Sequence, residues 1–398
     1  MSDKRTVYAD NAATTPVTPS VIEAMTPYFG EIWGNPSGLY ESGRRAARAL
    51  HEARETIAVA LGCRENEVYF TSGGTEADNW AIKGYARANG ERGRHIVASA
   101  IEHHAVLNSL KSLEREGFSF DLAVPDENGF ISPESVKRLI RHDTVLVCCM
   151  AANNEIGTIQ PVREIAAIAH AAGCGFFTDA VQAAGAMKTD VFDIGCDMLS
   201  ISGHKLGAPK GIGALYIKSG TKIYPLIDGG AQERGMRAGT ENVPYAAGLA
   251  RAVSDAAKAA EDGSEIKRIA AMRDRLAEGL AEIPYTRING GMENRLPGNL
   301  NMSFEYVEGE SLMLLLDMAG IAVSAGSACT SRSPRPSHVL KAIGVPDRLI
   351  RSSIRFSLGS MNTDDDVDII IRETTDIVRR LRDLSPEYER LKREGQAL

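Results

Sequence analysis

The stretch Glu67-Val68-Tyr69-Phe70-Thr71-Ser72-Gly73-Gly74-Thr75-Glu76 decides the fold. Its first half is a short β-favouring run, and its second half opens a helix predicted over Glu76 to Ala88. Between them, Ser72 to Thr75 is small and glycine-rich. Such a junction leaves backbone N–H groups free at a helix start, where the helix dipole favours an anion, and Thr75 adds a hydroxyl. A plain tight turn with Thr75 as N-cap is an equally good reading of these residues alone. The string is neither a G-x-x-x-x-G-K-[ST] loop nor a G-x-G-x-x-G fingerprint. The functional reading that survives is the phosphate of some other cofactor.

Outward from this junction the same rhythm repeats. His95 to Ser99 is strand-like and Ala105 to Glu116 is helical. Thr144 to Met150 is a continuous apolar run, suited to a strand covered on both faces. Pro161 stands where a helix would begin, and Val162 to Ala172 follow at helical spacing. Phe176–Thr178 and Met198–Ser202 are further strands. Upstream, Ala46, Leu50, Ala53, Ile57 and Leu61 mark one face of an amphipathic helix. The alternation predicts an α/β fold with a mostly parallel sheet flanked by helices.

After about residue 240 the pattern changes. Val243 to Ile283 reads as helical, broken at Asp262-Gly263-Ser264, the expected boundary between a large domain and a smaller C-terminal one. Beyond it come the strand Asn299–Phe304, a helix from Gly309 to Met318, the strand Ile354–Ser357, and a helix carrying Val367, Ile370, Ile371, Thr374, Val378 and Leu381. This predicts a smaller α+β domain. Asp364-Asp365-Asp366 suits a helix N-terminus better than a metal site.

The composition sets limits. The 398 residues carry 45 Lys and Arg against 52 Asp and Glu, a net charge of −7, which argues against a protein held on nucleic acid mainly by phosphate contacts. No apolar run approaches the ~20 residues of a membrane span, and the start, Met1 to Arg5, does not read as a secretory signal. Cysteines at 63, 148, 149, 174, 196 and 329 have no C-x-x-C spacing, so free thiols in a reducing cytoplasm are expected. No spacing of His and Cys supports a metal site.

Two more strand ends carry chemistry. Ser202-Gly203-His204-Lys205 follows Met198–Ile201, and a lysine there could form a Schiff base with an aldehyde cofactor, although a surface lysine is the commoner fate. Thr178-Asp179-Ala180-Val181-Gln182 follows Phe176, and its acid could pair with the pyridine nitrogen of pyridoxal phosphate; alone it would read as a turn or cap. Ligands gather at strand ends of open α/β sheets. A phosphate cradle, a lysine and an acid at three of them form a combination not expected by chance.

With these motifs the chain resembles the cysteine desulfurases of the NifS/IscS group, a branch of the fold-type I, aminotransferase-like pyridoxal-phosphate enzymes. The resemblance runs in order through Tyr8–Thr15, Gly34–Ser37, Thr71–Asn79, Glu102-His103, Asn153–Gly157, Thr178–Gln182, Ser202–Lys205, Glu233–Asn242, Ser324–Ser331 and Ser353–Ser357. It departs at Gly38, at His104 and in the basic run Arg332 to Pro336. The group converts L-cysteine to L-alanine and leaves the sulfur on the enzyme as a persulfide for iron–sulfur cluster assembly.

The resemblance implies roles. Lys205 would carry pyridoxal 5'-phosphate and move protons, Asp179 would face the pyridine nitrogen, and Gln182 would bond the ring oxygen. His103 would stack on the ring and serve as an acid or base. Gly74, Thr75, Ser202 and His204 would hold the phosphate, joined by Thr240 of a second copy in a homodimer. Asn154 would contact cofactor and substrate, and Arg355 and Asn35 would hold the carboxylate of L-cysteine. Cys329 would accept the sulfur and pass it to a scaffold protein or other acceptor. It sits among small polar residues with arginines behind, a setting for an exposed loop and a thiolate, whereas the other five cysteines read as buried, inert thiols. Residues 1–15 would form an N-terminal arm on the small domain, with 16–262 the large domain and 263–398 the small one. Without the motif, Arg355 reads as a structural ion-pair partner and His103-His104 as surface histidines. A selenocysteine lyase or aminotransferase of the same fold, or a non-catalytic sulfur carrier, are the rival readings.

Overall fold

The computed structural model describes residues 6–325 and 336–393. Its strands are β1 (Val7–Tyr8), β2 (Val68–Thr71), β3 (His95–Ser99), β4 (Ser119–Ala123), β5 (Thr144–Cys148), β6 (Gly175–Asp179), β7 (Met198–Ser202), β8 (Gly213–Ile217), β9 (Thr286–Ile288), β10 (Asn299–Phe304), β11 (Ile321–Ala322), β12 (Ser324–Ala325) and β13 (Ser353–Ser357). Seven form one sheet in the order β2-β8-β7-β6-β5-β3-β4. Its pairings from β7 through β4 are parallel, while β8 runs antiparallel to both β2 and β7. The expected mostly parallel sheet is therefore present.

Side chains on a strand alternate between faces, and here they feed two cores. Phe176, Leu199, Ile201 and Val147 pack on one side with Leu50, Ala53 and Ile57 of the helix Glu41–Leu61. Phe177, Met198, Leu146 and Cys148 pack on the other with Trp80, Ile82 and Leu110. By the same alternation, Asp179 and Ser200 share the second face. Their neighbours there are the helix Gly74–Asn79 and its continuation, a π turn over Trp80–Gly84 and the helix Tyr85–Asn89. The sequence reading began this helix two residues late. Gly73, with φ +150°, is the N-cap and Thr75 already lies inside the helix, so Thr75 is not the cap. The strand β8 went unanticipated, because Gly-Ala-Leu-Tyr-Ile is too short a run to declare itself beside glycine-rich loops.

A second sheet, β12-β13-β10-β9, is antiparallel throughout. Leu300, Met302, Phe304, Ile354 and Phe356 build its core with Leu276, Leu280, Leu312, Leu316, Ile370 and Val378 from the helices Ser264–Ala281, Gly309–Met318 and Asp364–Asp383. Val7 and Ala9 enter the same core, since β1 pairs in parallel with β11. The helix Val243–Asp262 ends at Gly263 (φ +68°), where a left-handed residue closes it. The acids at 364–366 do cap a helix: Thr363 accepts from Asp366 N–H, and the Asp366 carboxylate accepts from Thr363 N–H. Among the described residues no helix is long and apolar enough to cross a membrane.

Candidate active site

Three strand ends meet at one edge of the large sheet. A Cβ built on Gly74 would lie 2.7 Å from Val181 Cγ2 and 3.5 Å from Ser202 Cβ, and one built on Gly73 would lie 3.8 Å from Ser202 Oγ. The glycine turn after β2 therefore touches both the segment after β6 and the end of β7, and bare backbone is needed where it does. Gly213 of β8 closes the turn from behind; its Cβ would come within 2.8 Å of Gly73 Cα. Thr75 is exposed at the mouth, while Ser202 is buried. His204 is half-buried. Burial, with Lys205 and Lys210 nearby, lowers its imidazole to about 4, so it stands neutral, its Nδ1 3.2 Å from the Thr14 hydroxyl.

Lys205 follows directly. Its Nζ donates to the carbonyls of Ala12 and, at 2.7 Å, of Ala13. Gln182 Nε2 donates to Ala12 O at 3.1 Å. The Thr15 hydroxyl and N–H both donate to His204 O at 2.9 Å. Residues 12–15 thus lie over the lysine and the ends of β6 and β7, a role for carbonyls that no side-chain motif announces.

Asp179 is buried at the end of β6 and accepts from Val181 N–H at 2.9 Å. Burial raises its carboxyl, opposed first by the His103 charge and then by the Val181 N–H and Lys205. The His103 ring caps its own helix, Nδ1 accepting from Ala105 N–H at 3.1 Å. Glu102, wholly buried, accepts from Ser99 Oγ and, at 2.7 Å, from Met150 N–H; burial raises it to about 7. His104 is half-buried, its ring packed at a tilt against that of His338 with centroids 4.8 Å apart.

Arg355, at 3% exposure, lies mid-strand in β13. Its guanidinium pairs with Asp10 Oδ1 at 2.9 Å and donates to Asn154 O at 3.0 Å, leaving Nε buried without a partner among the described residues. Asp10 Oδ2 accepts from the Ser324 hydroxyl at 2.8 Å. The ion-pair reading of Arg355 is thus met, and an unused buried donor remains for a ligand. Asn154 is held by this bond and by Asn299 Nδ2 at 3.4 Å to the same carbonyl.

Neither Asn35 nor Thr240 joins this network among the described residues. Asn35 is exposed, its Oδ1 accepting from Ser37 N–H. Thr240 is exposed on a segment that Arg237 ties to the cradle helix through a two-fold bond to Glu76 at 2.8 and 3.0 Å. Cys329 lies outside the described residues. Of the other thiols, Cys148, Cys149, Cys174 and Cys196 are buried and raised by burial. Cys63 is only half-buried, not fully as expected, yet burial and Glu67 push it to about 12, so all five are poor nucleophiles at neutral pH. No His/Cys/Asp/Glu cluster among the described residues would hold a metal.

The sequence reading assigned no role to Asp10, Asp78, Ser200 or Glu155. Asp78 left one signal: it falls in the buried stripe of its helix, beside Ala77 and one turn before Ala81.

The donor set fits pyridoxal phosphate on the structure's own terms. The glycine turn offers bare backbone with a buried hydroxyl at its side, the buried acid Asp179 could match a ring cation, and the Lys205 amine lies near enough to that acid to lower its carboxyl. That set is the mark of the aminotransferase-like enzymes, and the chain belongs to the aminotransferase class-V family, whose model matches residues 7–370. Among its relatives it is similar to the protein named cysteine desulfurase IscS of Methanosarcina thermophila, 52% identical over 97% of this chain and 95% of that one. The protein of the same name from Dictyoglomus turgidum is 48% identical over 96% and 97%. Among solved structures, a NifS-like protein superposes with a TM-score of 0.89 at 38% identity, over 94% of this chain and all of that one. A structure described as SspA in complex with cysteine superposes at 0.79 and 37% identity, over 90% of this chain and all of that one.

Proposed function

We infer that the chain is a pyridoxal-phosphate-dependent cysteine desulfurase, which takes sulfur from L-cysteine, leaves L-alanine and serves iron–sulfur cluster assembly. The observation that carries this is the convergence of Lys205, Asp179 and the Gly73–Gly74 turn on one sheet edge, in a chain so similar throughout to cysteine desulfurases. When bound, the cofactor supplies an electron sink for charge developing on the substrate carbons.

The chain's residues divide the remaining work. Gly74, Thr75, Ser202 and neutral His204 hold the phosphate. Asp179 sets an anion against the ring nitrogen, Gln182 donates to the ring oxygen, and His103 covers the ring face. Lys205 anchors the cofactor and afterwards moves a proton at Nζ. Arg355, with its unused Nε, takes the substrate carboxylate, which suits a planar fork of donors; Asn154 and Asn35 complete that pocket. The Cys329 thiolate forms a bond to the substrate sulfur as the Cβ–S bond breaks and the carbon keeps the electron pair, which a proton then quenches to give alanine. The persulfide sulfur goes on to a scaffold protein or other acceptor.

The active unit in this reading is a homodimer. The large side chains Phe29, Trp33, Leu39 and Tyr40, within six residues of Asn35 in the chain, are all exposed, and exposed apolar groups of this size suit a protein partner. Thr240 would then reach the partner's phosphate. The residue divisions 1–15, 16–262 and 263–398, and a cytoplasmic setting, belong to the same proposal.

Borohydride reduction of the yellow holoprotein followed by peptide mapping should place the pyridoxyl group on Lys205. Cys329→Ser should keep the cofactor and lose both persulfide and alanine production. An adduct elsewhere, or wild-type alanine production by Cys329→Ser, would sink the assignment.

A further inference from the structure

Behind Asp179 lies a second acid that the mechanism does not use. Asp78, 1% exposed, comes from the cradle helix, and its Oδ1 is 2.5 Å from Ser200 Oγ. Ser200 is the register neighbour of Asp179 across β6 and β7, on the same sheet face, and its hydroxyl is near enough to hold the Asp179 carboxyl down somewhat. One hydroxyl therefore lies between two buried carboxyl groups. A serine hydroxyl has a single proton to give and lone pairs to receive. If both acids were ionised, one of them would be left facing oxygen lone pairs in a dry site, an expensive arrangement.

We propose that Asp78 is kept as a neutral carboxylic acid that donates to Ser200 Oγ, so that the Ser200 hydroxyl donates to Asp179 and holds it as the anion. Asp78 is then a positioning residue for the established acid, acting through Ser200. The part of this that concerns the cofactor rests on the pyridoxal-phosphate reading above.

The surroundings agree on which acid takes the proton. Asp179 faces His103 and Lys205 and has the Val181 N–H, all of which favour its charge. Asp78 faces Asp179 and Glu102, and the Cys148 thiol of β5 lies in the same region; none brings positive charge. Burial and the Asp179 charge accordingly drive Asp78 well above the usual carboxylate range. Two close carboxyl groups cannot both ionise cheaply, and the environment decides which one yields.

Two readouts test this. In infrared difference spectra between wild type and Asp78→Asn at about neutral pH, wild type should show a protonated-carboxyl C=O band that the variant lacks; the absence of that band would overturn the proposal. In the holoprotein, the visible absorbance of the bound cofactor should titrate in Asp78→Asn close to wild type, because the amide also donates to Ser200. Ser200→Ala should move the midpoint by about tenfold in proton concentration, about 1.4 kcal/mol. A shift in Asp78→Asn as large as that in Ser200→Ala would mean that wild-type Asp78 is ionised, which overturns the proposal. A wild-type protein with no cofactor absorbance would remove only the cofactor reading, since the infrared band reports the proton in the cofactor-free chain.

Discussion

The acids along the large sheet and the arginine in the small one solve the same problem in opposite ways. Asp78, Asp179 and Glu102 are buried, with hydroxyls and backbone N–H groups as their hydrogen-bond donors, and burial raises all three. Arg355, equally buried, is matched by a carboxylate at 2.9 Å. A buried acid with no positive charge beside it, as Asp78 is, takes up a proton, Asp179 with His103 and Lys205 nearby resists doing so, and a buried ion pair depends on both partners. One wall of the site can thus be tuned by pH, and the other by substitution of its partner.

The sharpest break in the first wall is Lys205→Ala. Turnover, measured as alanine released from cysteine, should fall by about a thousandfold, of the order of losing a positioned proton carrier; residual activity near wild type would remove Lys205 from the chemistry. The second wall should fail as a pair. Arg355→Leu leaves the partly buried Asp10 carboxylate without its cation and should cost about 1.5–3 kcal/mol in denaturant unfolding, and Arg355→Leu with Asp10→Asn should recover part of it. Equal losses in the single and double variants would show that the pair is not coupled. In the active holoenzyme, Asp10→Asn should raise KM for cysteine more than it lowers kcat, since Asp10 orients Arg355, the proposed carboxylate-binding group.

The pH response separates the walls further. Glu102 is raised from about 4.5 to about 7 by burial. Its folded value lies above its unfolded one, so its stabilising contribution is complete below about pH 4.5 and is lost as pH rises toward 7, on the order of 3 kcal/mol. Glu102→Gln should flatten the stability profile across that window. Glu155, raised to about 7 by burial, adds a parallel decline that remains in the variant. An unchanged profile would show that Glu102 is not held protonated. The smallest effect belongs to the second region's outer helix: Thr363→Ala removes one half of the capping box and should cost about 1 kcal/mol without touching KM.

Much of the first wall was legible in the sequence because its signals are local. A strand-like run followed within a few residues by Ser72–Thr75, Asp179 or Ser202–Lys205 marks a strand end, and parallel strands bring such ends to one edge. The helix stripe from Ala46 to Leu61 and the break at Gly263 are likewise set by neighbours along the chain. What the sequence by itself determined was therefore the sheet type, the order of its elements and the groups at their ends. The tertiary structure decided the rest. Asp10 meets Arg355 across 345 positions and Ser200 meets Asp78 across 122, contacts with no local periodicity to reveal them. Nor could a sequence tell that the carbonyls of Ala12 and Ala13 would face Lys205, since every residue carries a carbonyl. Charge state followed the same division: the identity of each acid is written in the chain, but whether it keeps its proton depends on how much water and what opposite charge the fold leaves beside it.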